Sequence, residues 1–394
     1  LAERPELKDR MRHTLLVGLV LVVGASLAGC ASRPEAGFLM PTPVAAVGAT
    51  DHTILIATTR ARDARPNTLY DGERSSALDY AIATISVPPT HVHGQIEWPS
   101  QPPGDPAHDF VTRQAGYLNG SAGFDQEVRQ RLAKRPKGHH DVVLFVHGYN
   151  TLFAEGLYRF VQLMQDANGE SVPVLFTWAS RGALSQYVYD LNSATAARDA
   201  LEATLKELAA DGVDHIHIVA HSMGNWVTVE ALRQLRLEGN TAVEDRLGLV
   251  ALASPDIDID VFKSEMRRYG KPKKPFIVLL SRDDHALGLS QTIAGDKPRV
   301  GDYGDNADLA SYGVIVVDLS DIKGQDSANH WKFAEAAAFP PEVRELVEQS
   351  GIALPLANRA QRGNVVDQFG NSLGQFVSSA TNVVVALPNA LAGR

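Results

Sequence analysis

Cysteine is almost absent: Cys30 is the only one in 394 residues, which excludes intramolecular disulfides and thiolate metal cages. Positive charge is also in deficit. With 37 Lys and Arg against 46 Asp and Glu, the net charge is -9 at pH 7 and no long basic run occurs. Such a chain repels nucleic-acid phosphates, so no nucleic-acid partner is expected. No apolar run reaches the roughly 20 residues of a membrane-spanning helix. With 44% hydrophobic and 21% charged residues, the composition fits neither a polytopic membrane protein nor a disordered chain. Internal repeats and long low-complexity tracts are missing too, which excludes repeat architectures. The length allows one large domain or two ordinary ones around a substantial core.

The position of Cys30 accounts for it. Arg12 precedes an apolar stretch, 15–23, followed by Ser26-Leu27-Ala28-Gly29-Cys30. The ~16 uncharged residues before the cysteine are too few to span a bilayer. This segment resembles a bacterial lipoprotein signal peptide, with Leu27-Ala28-Gly29-Cys30 matching the lipobox residue by residue. The resemblance implies that 1–30 is a leader ending at a lipidated Cys30. The protein would then be anchored to a membrane in the cell envelope. Ala31, where an inner-membrane retention signal would place Asp, favours the periplasmic face of the outer membrane in a Gram-negative cell. Met11 is the natural start of such a leader, so 1–10 reads as untranslated sequence.

Residues 31–50 hold a Pro-, Ala- and Gly-rich stretch that reads as a flexible tether. The folded domain is expected over 51–358 and a loosely docked tail over 359–394. Strands are expected at 53–57 and 78–87, and 88–138 is the least readable part of the chain. From 141 onward, short continuous apolar runs alternate with helical segments: 142–146, 172–178, 215–220, 247–253, 275–280 and 313–319. That alternation predicts buried parallel strands joined by helical crossovers, a doubly wound and mostly parallel α/β sheet with helices on both faces. Helices are expected at 153–167, 225–237, 258–269 and 331–349. A further helix, N-capped by Ser193, would carry Leu201, Leu205 and Leu208 on one stripe. In such sheets chemistry lies beyond the carboxyl ends of the strands.

Val219-Ala220-His221-Ser222-Met223-Gly224-Asn225 follows a strand and opens a helix. This is the context of a nucleophile elbow, with Ser222 at the apex and small residues two positions to either side. Ala220 stands where the usual pattern has glycine. The first strand of the sheet ends in Val146-His147-Gly148-Tyr149-Asn150. Together these segments resemble the α/β-hydrolase superfamily, and more narrowly a bacterial lipoprotein branch with an H-G-Y-N turn and an A-H-S-M-G-N elbow. The resemblance implies an α/β-hydrolase fold and an oxyanion hole built from the Met223 and Tyr149 amides. A structural role is expected for the His147 side chain.

A serine nucleophile needs a histidine base and an orienting carboxylate, in the chain order Ser, acid, His. Ser281-Arg282-Asp283-Asp284-His285-Ala286-Leu287 is similar to the family's S-x-x-D-x-A-L segment, which places the acid at Asp284. Asp283 and Asp256 are the competing acids. His330, after the last strand, is the candidate base, with His285 as its competitor. Trp178, Tyr187 and Asp190 look like the family's W-x-S-x-G and Y-x-x-D elements. With Asn150, Trp178 and Tyr187 are candidate pocket residues, although packing accounts equally well for these two aromatics. The pairs His139-His140 and His215/His217 lack a third ligand at metal spacing, so no metal and no cofactor is expected.

The implied activity is hydrolysis of a carboxylic ester by a Ser-His-Asp triad through an acyl-enzyme. The alternatives are a lipase or phospholipase, an amidase, or a non-catalytic envelope lipoprotein. The expected partners are a small-molecule ester and the membrane, and the sequence sets no oligomeric state.

Overall fold

A continuous apolar strand is stable only if both of its faces are covered. In strand Asp141–Val146, Val142, Leu144 and Val146 point into one buried cluster and Val143 and Phe145 into another. The computed structural model describes residues 33–34, 36–167, 169, 171–321, 324, 326–335 and 384–388. Cys30 and the leader, the part of the helix expected at 331–349 that follows Lys332–Glu335, and most of the C-terminal segment lie outside the described residues. Among the described residues no helix is long and apolar enough to cross a membrane.

Among the described residues ten strands form one sheet: β1 Thr50–Arg62, β2 Tyr70–Val87, β3 Val111–Tyr117, β4 Asp141–Val146, β5 Val172–Thr177, β6 His215–His221, β7 Leu247–Ala253, β8 Phe276–Leu280, β9 Val314–Asp318 and β10 Val384–Ala386. Their order is β10-β9-β8-β7-β6-β4-β5-β1-β2-β3. Pairing is parallel from β1 through β9 across the middle, and antiparallel where β2, β3 and β10 form the margins. The longer helices are α1 Gly120–Leu132, α2 Phe153–Asp166, α3 Tyr187–Ala210, α4 Gly224–Leu237, α5 Ile259–Tyr269 and α6 His285–Ile293. Phe124 of α1, Leu201 of α3, Val227 of α4 and Phe262 of α5 pack into one side of the sheet. Leu157 and Val161 of α2 pack into the other. The sheet is therefore doubly wound, as the alternation of runs and helices predicts.

Three expectations need correction. First, α3 begins at Tyr187, so Ser193 lies inside it. Its hydroxyl donates to the Tyr189 carbonyl at 3.0 Å, a back-bond to position i−4 rather than a cap. Second, part of the expected tether is docked. Leu39 is buried with its amide on the Asn67 carbonyl, Thr42 bonds to Thr112, and Phe38 meets Trp98 and Tyr158 edge-on. Third, Val384–Ala386, in the segment expected to be loosely docked, is an edge strand against Val316–Asp318 of β9. The stretch 88–138, for which the sequence sets no elements, contains β3 and α1, whose polar residues hide their periodicity.

One helix contact carries an unusual charge state. Glu265 of α5 is buried against Glu230 of α4. Burial, reinforced by the neighbouring carboxylate, pushes the Glu265 carboxyl up to about 9. The folded protein therefore keeps a proton that the unfolded chain releases near pH 4.5, and stability is lost as pH rises from there toward 9. Glu265→Gln cannot ionise, so its melting temperature should gain on the wild type progressively between pH 5 and 9. A gap that stays constant with pH would contradict the raised Glu265 carboxyl.

Candidate active site

Ser222 sits between β6 and α4 at φ 53°, the left-handed region that a non-glycine residue occupies only when its surroundings compel it. The surroundings are specific. Its amide donates to the Ala253 carbonyl at 3.0 Å, and its carbonyl accepts from the amides of Asn225 at 3.1 Å and Asp256 at 3.2 Å. The fully buried Asn225 side chain adds a 2.8 Å bond to the Ser222 carbonyl and another of 2.8 Å to that of Ala253. Asn225 thus staples the elbow to β7, a role the motif's spacing alone does not disclose. Ala220 is fully buried, so the extra methyl is accommodated at the first small position.

Two glycines let the turn after β4 reach the elbow. A Cβ on Gly148 would lie 2.6 Å from the Ser222 Cβ, and one on Gly224 would lie 2.3 Å from the His147 carbonyl oxygen and 2.6 Å from that of Val146. At Gly224 the obstacles are backbone atoms, so no rotamer change relieves them. Gly224→Ala should cost ~3 kcal/mol in urea denaturation. A loss below about 1 kcal/mol would show that the two segments do not approach this closely.

The Asp284 carboxylate is fully buried and divided between two tasks. Oδ1 caps α6 by accepting from the amides of Ala286 at 3.0 Å and Leu287 at 3.1 Å, while Oδ2 accepts from His330 Nδ1 at 2.7 Å. His330 is held by its backbone as well. Its amide donates to Asp326 at 2.9 Å, and its carbonyl accepts from His221 Nε2 at 3.2 Å and the Ser254 hydroxyl at 3.3 Å. His221 precedes Ser222, and Ser254 follows the carbonyl on which the Ser222 amide rests. His330 therefore lies over the same ends of β6 and β7 as the elbow. The His221 ring packs 3.8 Å from Trp331 and 4.5 Å from His330, centroid to centroid. Burial first, and then the neighbouring His330, hold the His221 imidazole well below its ordinary value, so it remains neutral.

The competing residues are occupied elsewhere. Asp283 receives Lys332 Nζ at 2.6 and 2.8 Å, the Ser281 hydroxyl at 2.5 Å and Asn329 Nδ2 at 3.0 Å. Desolvation works to raise its carboxyl, but the bonds from Lys332 and Ser281 hold it below the usual range. Lys332 is 1% exposed. Since Asn329 and Lys332 flank His330, Asp283 latches the histidine loop beside Asp284. His285 is exposed and offers its amide, not its ring, to that loop, donating to the Ala328 carbonyl at 2.9 Å. Asp256 is buried and accepts from Ser290 at 2.8 Å and Tyr187 at 3.2 Å, with the Arg299 guanidinium 3.3 Å away. Burial pushes its carboxyl up against the opposing pull of Arg299.

The H-G-Y-N turn rests on buried polar groups. His147 is fully buried, with Nδ1 on the Gly148 carbonyl at 2.8 Å and Nε2 taking the Thr177 hydroxyl at 2.8 Å and the Trp178 amide at 3.2 Å. Burial and the adjacent Arg60 lower its imidazole to about 3, so it is a neutral structural group, as expected. Asp190 accepts from the Asn150 and Arg181 amides at 3.1 and 3.0 Å and from the Ser180 hydroxyl at 2.5 Å. Arg60, 1% exposed, donates to the carbonyls of Thr151, Ser180 and Asp71 at 2.7, 2.8 and 3.0 Å. Its pKa is lowered by burial to about 10, which leaves it charged at neutral pH. Sequence reading missed Arg60, because a lone arginine in a strand reads as surface.

The remaining candidates fall into place by burial. Met223 is buried at the head of α4, where helix amides lack intrahelical acceptors. Tyr149 and Asn150 are half-buried in the turn, with Asn150 at φ 55°. Trp178 is fully buried, stacks on His147 and donates from its indole to the His147 carbonyl at 2.9 Å, so packing is its account. Tyr187 is 3% exposed, with the Tyr149 ring edge-on against it at 5.1 Å. His215 pairs with Asp141 at 2.9 Å, and the His217 ring accepts the Leu249 amide at 3.0 Å. Among the described residues no three His, Cys, Asp or Glu side chains are grouped to hold a metal ion.

A doubly wound sheet with a strained serine elbow, and a His–carboxylate pair on the loops after the following strands, defines an α/β hydrolase. Residues 121–349, more than half of the chain, match the family described as "Alpha/beta hydrolase of unknown function (DUF900)", and the chain belongs to that family. Among solved structures, one from work on two esterases of the fungus Rhizomucor miehei is similar at 10% identity with a TM-score of 0.33, over 76% of this chain and 84% of that chain. No curated protein matches the sequence.

Proposed function

We propose that the protein is a serine hydrolase that cleaves carboxylic esters with Ser222, His330 and Asp284 through an acyl-enzyme. The observation that carries this reading is the 2.7 Å bond from His330 Nδ1 to the buried Asp284 carboxylate. It fixes the tautomer in which Nε2 is unprotonated and able to take a proton. In the first step Nε2 removes the Ser222 hydroxyl proton as Oγ bonds to the acyl carbon, and the carbonyl oxygen becomes an oxyanion facing the Met223 and Tyr149 amides. The C–O bond to the leaving group then breaks, and imidazolium returns its proton to the departing alkoxide. Water repeats the sequence, releasing the acid and restoring Ser222. Asp284 stays ionised and stabilises the imidazolium.

A fluorophosphonate probe should label the full chain at Ser222, and p-nitrophenyl esters should be turned over. Absence of both would favour the non-catalytic envelope lipoprotein. Faster turnover of the matching anilide than of the ester would favour an amidase. The Leu27–Cys30 lipobox supports a lipid-anchored protein of the cell envelope. Incorporation of a palmitate analogue that is lost in Cys30→Ser would test this.

A further inference from the structure

Resting on that reading, we infer that the acyl arm of the substrate is an uncharged aliphatic chain, received by two exposed apolar ridges at the rim of the site. The first ridge is Leu184 and Val188, both 62% exposed, four residues apart where a short turn enters α3. The second is Leu289 and Ile293, 47% and 46% exposed and likewise four apart on α6. The spacing of four puts Leu289 and Ile293 on one face of α6, about a turn or 5.4 Å apart, while Leu184 lies in the 3-10 turn Leu184–Gln186 and Val188 in the first turn of α3.

Both ridges grow out of the reacting machinery. The Tyr149 hydroxyl donates to the Leu184 carbonyl, and the Tyr149 ring abuts Tyr187, next to Val188. Asp284 caps the helix that carries Leu289 and Ile293. The two elements are strapped together from below, since Tyr187 and Ser290 both donate to the buried Asp256, at 3.2 and 2.8 Å. That strap fixes the ridges relative to one another and turns their aliphatic side chains outward.

Charge names the occupant. In a chain with 21% charged residues, residues 182–189 and 286–295 contain none. The neighbouring Arg181 is paired with Glu73 at 2.9 and 3.0 Å, so the two segments themselves give a charged substrate arm nothing to pair with, whereas apolar burial rewards methylenes at about fourfold in affinity each.

The test uses the full chain and monomeric p-nitrophenyl acetate, butyrate and octanoate, each below its aggregation concentration. In the wild type, kcat/KM should rise about tenfold or more from acetate to octanoate. Val188→Asp and Leu289→Asp should each lower the octanoate-to-acetate ratio by about tenfold. Leu237→Asp, at a 41% exposed position at the far end of α4, should leave the ratio unchanged. A flat wild-type profile, or an unaltered ratio in both rim variants, overturns the inference. An octanoate advantage seen only with aggregated substrate also overturns it and assigns the ridges to a lipid surface. Acetate turnover that Ser222→Ala abolishes upholds the hydrolase reading whatever the ridges do. If no ester is turned over and no probe binds, both readings fall.

Discussion

Ser222→Ala should lower kcat for a p-nitrophenyl ester by about a millionfold while leaving the melting temperature within a few degrees of wild type. The magnitude follows from the way a triad acts as a unit: without the attacking oxygen, only binding and the oxyanion donors still accelerate the reaction. The fold should survive because the elbow is held by the Ser222 backbone, through Ala253, Asn225 and Asp256, and not by its hydroxyl. Circular dichroism and turnover on the same sample check both halves. Near-normal hydrolysis by the folded variant would refute the nucleophile.

The second large effect separates two neighbouring carboxylates. Asp284→Asn should reduce kcat by about ten-thousandfold, since an amide cannot hold His330 in the tautomer that leaves Nε2 free. Asparagine still caps α6 through its amide oxygen, so stability should change little. Asp283→Asn should do the reverse. It strips the counter-ion from the buried Lys332 and should cost ~2 kcal/mol, less than the ~3–5 kcal/mol of a fully buried pair because Asp283 is itself partly exposed. Its kcat should fall far less than that of Asp284→Asn. Urea denaturation and kcat measured on both variants decide the matter, and an exchange of the two phenotypes would make Asp283 the acid.

Much of the architecture was legible because buried parallel strands must be apolar on both faces, and runs such as 142–146 and 247–253 carry that signature without interruption. Ser222 was legible because an elbow needs small residues at fixed offsets. The margins of the sheet were not. In β3, Thr112, Arg113 and Gln114 blur the alternation, and three residues of β10 are too few to show a period. Nor could spacing choose between Asp283 and Asp284, because adjacent residues differ only in which way they face. Arg60 and Lys332 were invisible for another reason. Charged side chains are assigned to the surface by default, and both are buried through partners distant in sequence.

The opposite facing of Asp283 and Asp284 places the partners of His330 and of the buried Lys332 on a single dipeptide. An insertion or deletion of one residue between Leu280 and Asp283 would shift both carboxylates by one position, so that only one of the two partners, the histidine or the lysine, still meets a carboxylate. Homologous chains should accordingly vary in the identity of residues in this turn far more readily than in its length.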